Sequence, residues 1–554
     1  MDRRAFLSRG AAAGGIILAG AAGLEACSSS PSGSGTSTGG GSGTPGVNKG
    51  TPKKGGTVVI GTTAEIDGFF PPNNHWDNNG FLYACAIYDP LTAQAADGTI
   101  KPYLAESVTP NSTYTVWTLT LRPGVTFHDG SPLTATVVKN NFDALKKSAL
   151  TGPALQAITS ATVTGTLTLV YNCSQPLVAF PAGLATQVGF VVAQAMLDAA
   201  AASASAAPHP IGTGPFIYDN WQPNQQFTAT RNPHYWRSGL PYLDSITFKP
   251  IPDTTQREST LKTGGVDLMV SADPKTVTRF RGVSGFQLVD TINYTVGEPD
   301  MDFIMLNCAT APTNDLGIRQ ALAKATDQTQ VAQIFGGGLL KSSTGLFPQG
   351  SKYYSRTSYP TFDLPGAKAL VAAYKAQHGG SAAFQLTGTT DPRIVQVTQV
   401  LQQMWNAAGF DVSIKAIEQA ELITDAIEGG FQALTWEQFV APDPDLNYVW
   451  WSTTTANAPG KITLNFARNS DPQIEAALQS GRSSPDAAAR IKAYQTVNER
   501  LGVDIPYIWL GQTVWSEVGD ARVQNFANPV LPDGAPGLPF QWGFFFPTQI
   551  WMAG

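Results

Sequence analysis

Between Asp391 and Ile417 the chain spells out a helix and the strand that follows it. Asp391-Pro392 places a capping carboxylate and then a proline where the first helical turn has no intrahelical partner for its N–H. Ile394, Val397, Leu401, Met404 and Trp405 form an apolar stripe at helical spacing, and Gly409 stops it. Val412, Ile414 and Ala416 then alternate through Phe410 to Ile417, as a half-buried strand does. A capped amphipathic helix leading directly into such a strand excludes all-α and all-β architectures and requires an α/β lobe.

The same punctuation recurs on both sides. Asp327 with Gln330 makes a capping-box pattern before Val331, Ile334 and Phe335, and Gly336-Gly337-Gly338 ends that helix. Ser484-Pro485 is expected to start a long helix through Ile491, Tyr494 and Leu501. In the N-terminal half, Gly55 to Gly61 reads as a strand that opens the folded region. Trp117, Leu119 and Leu121 share one face of a second strand, Pro123-Gly124 supplies a type II turn, and Thr134 caps a helix carrying Ala135, Val138, Phe142 and Leu145. The tail from Val523 reads as irregular. At 554 residues, one hydrophobic core is too small an answer and two or three domains are expected.

Composition removes several function classes. Charged residues are 14% of the chain, against about 25% in ordinary globular proteins, and the formal charge is −6. Basic residues run no further than Arg3-Arg4 and Lys53-Lys54, so no footprint for a phosphate backbone exists and nucleic acid is not an expected partner. Cys27, Cys85, Cys173 and Cys308 show no C-x-x-C spacing, and none of the five histidines pairs at i,i+4, so neither a metal site nor any cofactor is expected. His128-Asp129 is explained by a tight turn at Asp129-Gly130. Gly336 to Thr344 is out of register with a phosphate loop, and there is no G-x-S-x-G elbow. The chain is not expected to be an enzyme.

Residues 1–27 form a three-part export signal: Arg3-Arg4, an apolar stretch from Gly10 to Leu24, and Cys27. The apolar stretch is shorter than the roughly 20 residues a spanning helix needs. Arg3-Arg4-Ala5-Phe6-Leu7 resembles a twin-arginine signal, and Leu24-Glu25-Ala26-Cys27 resembles a lipobox, departing from it at Glu25. That resemblance implies lipidation of Cys27 and an extracytoplasmic, membrane-anchored protein. Residues 28–54 are Gly, Ser, Thr and Pro with little to bury, a flexible tether that would hold the folded part roughly 30 Å from its anchor.

Several ordered blocks resemble the ABC-importer solute-binding proteins of family 5, the oligopeptide, dipeptide and nickel-binding group. They are Trp117 to Leu145, Gly212 to Trp236, Arg257 to Leu268, Phe303 to Asp327, and Asp443-Pro444-Asp445. The resemblance implies an α/β, two-lobed periplasmic-binding-protein-like fold of class II with an extra subdomain on lobe one. Lobe one would comprise 55–296 plus 512–554 and lobe two 297–511, with crossovers near Gly297 and Gly511. It further implies a monomeric receptor that encloses a small-molecule or peptide ligand between its lobes and passes it to the permease subunits of an importer.

The candidate ligand-binding stretch is Trp436 to Trp451, with two carboxylates around a proline and four large aromatics, Trp436, Tyr448, Trp450 and Trp451. A surface turn with Trp450 and Trp451 in the core explains the same residues. In peptide-binding relatives an acid three residues after the tryptophan pairs with the ligand's α-amine; here Phe439 stands in its place. Trp436, Phe439, Asp443 and Asp445 are therefore the expected site residues, with Asp443 or Asp445 as substitute amine readers. A neutral ligand such as an oligosaccharide or opine is the alternative, and an envelope hydrolase or a ligand-free structural lipoprotein is the alternative from another class.

Overall fold

The computed structural model describes residues 50–554 except 75, 149, 203–208, 293–299, 438–440 and 539–544. Strand periodicity is realised as the sequence implies. In the Val116–Leu121 strand Trp117, Leu119 and Leu121 are buried and the intervening residues are partly exposed. This strand lies second in a four-stranded antiparallel sheet, in the order Ala105–Pro110, Val116–Leu121, Thr168–Cys173, Ile158–Gly165. The Ala135–Lys147 helix, whose Thr134 hydroxyl accepts the Val137 N–H at 3.4 Å, covers it with Val138, Phe142 and Leu145. Gly124 sits at φ 76°, the left-handed conformation a type II turn requires.

Two larger sheets carry the rest. A seven-stranded sheet runs in the order Phe286–Asp290, Ser516–Asp520, Leu268–Ser271, Thr57–Thr62, Ser245–Pro250, Gln226–Arg231, Phe216–Gln222. The opening strand is parallel to both of its neighbours. A five-stranded sheet runs Asp411–Ile417, Ala383–Thr389, Ala433–Glu437, Met301–Leu306, Tyr507–Gln512. Ala383–Thr389 is parallel to both of its neighbours, and the Pro392–Ala407 helix joins it to one of them, Asp411–Ile417. Asp391 caps that helix by accepting the Arg393 N–H at 2.8 Å, and Ile394, Val397, Leu401 and Trp405 bury its inner face. The mixed α/β, two-lobed architecture implied by the resemblance is the one observed.

Two helix boundaries test the punctuation. The Gln328–Gly336 helix begins where expected, with the Asp327 carboxylate accepting the Thr329 and Gln330 N–H groups at 3.0 Å, and ends on Gly337 in the left-handed region. The expected start at Ser484-Pro485 lies two residues early. Ser484 ends the preceding Pro472–Ser483 helix, because a residue before proline is held extended, and Asp486 caps the Ala487–Asp504 helix by accepting the Ala489 N–H at 2.7 Å. Among the described residues no helix is long and apolar enough to cross a membrane, and Cys85, Cys173 and Cys308 are free thiols.

Candidate functional site

The chain passes between the two large sheets twice: from Phe286–Asp290 to Met301–Leu306, and from Tyr507–Gln512 to Ser516–Asp520. The sequence-expected crossover at Gly297 lies outside the described residues, and Gly511 lies within the last strand of the five-stranded sheet. The two passages are stitched together. Thr513 donates its N–H to the Asp300 carbonyl at 2.9 Å, Thr291 donates its N–H to the Trp515 carbonyl at 3.0 Å, and the Trp515 N–H reaches the Thr291 hydroxyl at 2.9 Å.

Directly beyond this seam, Met301–Leu306 pairs antiparallel with Ala433–Glu437, setting Asp302 opposite Glu437 and Phe303 opposite Trp436. Strand alternation sends Trp436 and Glu437 to opposite faces. Half-buried Trp436 meets Phe466 edge-on at 5.3 Å between ring centres, and Phe466 packs on Trp450 at 5.0 Å. On the other face, Asp302 is buried with neither carboxylate oxygen hydrogen-bonded, and the Asp300 and Glu437 carboxyl groups meet. The Trp515 indole N–H donates to one Asp300 oxygen at 2.7 Å, and among the described residues no N–H donor reaches the other. From the seven-stranded lobe, Asp77 acts on Glu437 through its charge. It caps the Asn78–Ile87 helix by accepting the Gly80 N–H at 2.9 Å.

Burial is the largest influence on all four acids and raises the pKa of each. Mutual repulsion adds to it: Asp300 raises both Asp302 and Glu437, and Asp302 and Asp77 raise Glu437 further. The Arg393 guanidinium draws Asp302 the other way, but its hydrogen bonds go to Asp391, at 3.0 and 2.6 Å.

The sequence-expected residues divide. Trp436 stands beside this group on the strand it shares with Glu437. Phe439 lies outside the described residues. Asp443 and Asp445 are already engaged. Asp443 takes Arg490 Nη2 on both oxygens at 2.6 Å, and Asp445, buried beneath the loop, takes Arg482 Nε at 2.9 Å. Arg482 in turn lies 3.7 Å above the Tyr448 ring, whose hydroxyl donates to Glu475 at 2.9 Å. Of the tryptophans, Trp451 is core and Trp450 is half-buried. This loop touches the other lobe, where Val178 donates its N–H to the Arg482 carbonyl at 3.2 Å.

His128 is likewise structural. It accepts the Gly212 N–H on Nδ1 at 3.3 Å, leaving Nε2–H to donate to the Gly214 carbonyl at 3.0 Å, and burial lowers its pKa to about 4. A neutral ring fixed by two backbone groups is bound as a bracket, with no nucleophile against it. The sequence signals that mark the acid group are Glu437 next to Trp436 and the acid-rich run Glu298-Pro299-Asp300-Met301-Asp302 at the first crossover.

Comparison with known proteins agrees with this architecture. Residues 99–460 match the family described as bacterial extracellular solute-binding proteins, family 5 Middle. The probable D,D-dipeptide-binding periplasmic protein DdpA of Escherichia coli strain K12 is 25% identical over 488 residues, covering 86% of this chain and 92% of its own. Two solved structures share the fold. The Helicobacter pylori binding protein DppA, in complex with the peptide STSA, aligns with TM-score 0.77 at 20% identity, covering 88% of this chain and 99% of its own. AgaA from A. tumefacien R10, in complex with agropinic acid, aligns with TM-score 0.76 at 23% identity, covering 90% and 99%. With its lobes joined by paired crossovers and most of its length matched, the chain belongs to the bacterial extracellular solute-binding proteins of family 5.

Proposed function

We propose that the protein is the extracytoplasmic receptor of an ABC importer, capturing a peptide-like solute between its lobes and delivering it to permease subunits. The observation that carries this reading is the arrangement at the crossovers: aromatics at Trp436 and Phe466 on one face of the Ala433–Glu437 strand and, on the other, a group of buried carboxylates that makes no salt bridge among the described residues. Such a site has apolar area to gain and polar groups to satisfy, as a solute cleft requires. DdpA and DppA, named for dipeptides or bound to a peptide, support the peptide class. The neutral-ligand alternative is supported by the opine-type ligand of AgaA and by Phe439 standing where an acid would read an amine.

Native mass spectrometry of freshly purified protein is the direct test: a retained solute of peptide mass is expected, and a retained sugar or opine would replace the peptide reading. Trp436→Ala is expected to weaken whatever peptide binds by about 2 kcal/mol, since it removes packing surface and no charge. Calorimetry with unchanged affinity would take Trp436 out of the site.

Delivery at a membrane face rests on the N-terminus, which lies outside the described residues. Acting as a lipid anchor, Cys27 would hold the protein in the membrane fraction through the tether at 28–54. Cys27→Ser is then expected to move the protein to the soluble fraction, and Arg3-Arg4 to Lys-Lys to block export of the folded chain. Unchanged fractionation of both variants would remove the anchor and the export route together.

A further inference from the structure

The carboxylates at the crossovers are arranged unlike the arginine-bound acids around them. Asp443 and Asp445 each face an arginine, and Asp391 is held by Arg393. Asp302, by contrast, is 1% exposed with neither oxygen hydrogen-bonded among the described residues, while Asp300 meets the Trp515 indole N–H and the Glu437 carboxyl. A second, uncharged group marks the same spot. Thr513, 5% exposed, turns its hydroxyl toward Asp302, yet that hydroxyl completes no hydrogen bond within the protein. Burying polar groups this way is costly unless something supplies the missing partners.

What is missing is a donor-rich cation. The basic side chain that attracts Asp302, Arg393, makes its hydrogen bonds among the described residues to Asp391 through Nε and Nη2. In the sequence, residues 293–299 and 438–440 contain no Lys or Arg. Among the described residues no set of three His, Cys, Asp or Glu side chains is placed to hold a metal ion. An ammonium group has three N–H donors that diverge and can meet separate oxygens.

We propose that Asp300, Asp302 and Glu437, with Thr513, form a cation subsite that receives a primary ammonium group of the bound solute, Asp77 closing it from the opposite lobe. The inference deepens the receptor reading, since it assumes that the space between the lobes is the solute's. It moves amine recognition from the arginine-bound carboxylates of the 443–445 loop to the hinge itself. Because Asp77 belongs to one lobe and Glu437 to the other, a cation between them attracts both, so its binding favours approach of the lobes.

Burial raises the pKa of Asp77, Asp300, Asp302 and Glu437, so an ammonium that favours their ionised forms should displace whatever protons they still hold. Affinity for an amine should therefore rise with pH through the range in which the empty site still holds those protons, and protons should be released on binding. The other groups facing the site are the Thr513 hydroxyl, the Trp515 indole N–H and the Arg393 guanidinium.

Calorimetric titration of the full chain with trialanine, N-acetyl-trialanine and 1,4-diaminobutane tests the subsite. Trialanine is expected to bind about tenfold or more tighter than its acetylated form. Glu437→Gln and Asp302→Asn should each abolish that preference while leaving the acetylated peptide's affinity in place. Proton release, read from the dependence of the enthalpy on buffer, should disappear with the preference. Equal affinity of wild type for both peptides overturns the subsite and leaves the peptide reading standing. Binding of 1,4-diaminobutane alone, lost in Glu437→Gln, upholds the subsite and overturns the peptide reading. Failure of all three probes overturns the subsite. The wild-type comparison needs no variant to fold.

Discussion

Asp445→Ala is expected to destabilise the protein by about 3–5 kcal/mol, the cost of leaving a buried charge without its partner. Asp445 is 1% exposed and Arg482, its partner at 2.9 Å, 13% exposed. Burial raises the Asp445 pKa despite the attraction of Arg482, so desolvation outweighs the ion pair and the pair is held by its surroundings. Arg482 is fixed between Tyr448 and Asp445, and its backbone carbonyl accepts the Val178 N–H from the other lobe. Removing Asp445 strands the guanidinium, whereas Asp445→Leu combined with Arg482→Met exchanges both charges for apolar volume and should cost far less than the sum of the two single changes. Urea unfolding of the single and double variants gives the coupling energy directly. If the double variant is as unstable as the two singles added together, the pair does not act as a unit. Asp445→Asn is further expected to leave solute affinity unchanged once folding is accounted for, which separates a structural pin from an amine reader.

The fold was legible because its signals are local. Asp391-Pro392, Gly409 and the alternating Val412 and Ile414 determine a helix and strand within 27 residues of chain, and the protein has little freedom to do otherwise. The boundary slip at Ser484 arose between two adjacent candidates for a cap, where the carboxylate of Asp486 reaches the first-turn N–H groups. The site was legible only in part, because it is built from pairs that sequence does not bring together. Trp436 advertises itself as an aromatic among acids. Nothing local says that Asp443 and Asp445 will be met by Arg490 and Arg482, 47 and 37 residues away. Nor does proximity to Trp436 reveal that Glu437 will sit opposite Asp302, which is a matter of strand register. The acids that look free in the sequence are paired, and those that are unpaired look like ordinary strand residues.

Glu517→Met should make the protein more stable, and by a margin that grows with pH. Glu517 lies on the second strand of the seven-stranded sheet, between Val270 on one neighbouring strand and Val289 on the other. It is fully buried, neither of its oxygens has a hydrogen-bond partner, and burial alone pushes its pKa well above the ordinary glutamate value. Even the neutral carboxyl, buried without a partner, costs about 1–3 kcal/mol, which an unbranched apolar side chain of similar length avoids. The folded state keeps a proton that the unfolded chain gives up, so this group's contribution is complete below the unfolded glutamate pKa and is lost as pH rises toward the folded value. The loss approaches about 1.4 kcal/mol per pH unit within that window. Wild type should therefore lose more stability than Glu517→Met between pH 5 and pH 8, and the difference between the two slopes isolates residue 517 from the acids at the crossovers, which titrate in both proteins. Urea unfolding at the two pH values measures it. Parallel slopes, or a less stable methionine variant, would mean that Glu517 finds a partner inside the sheet and is part of its structure.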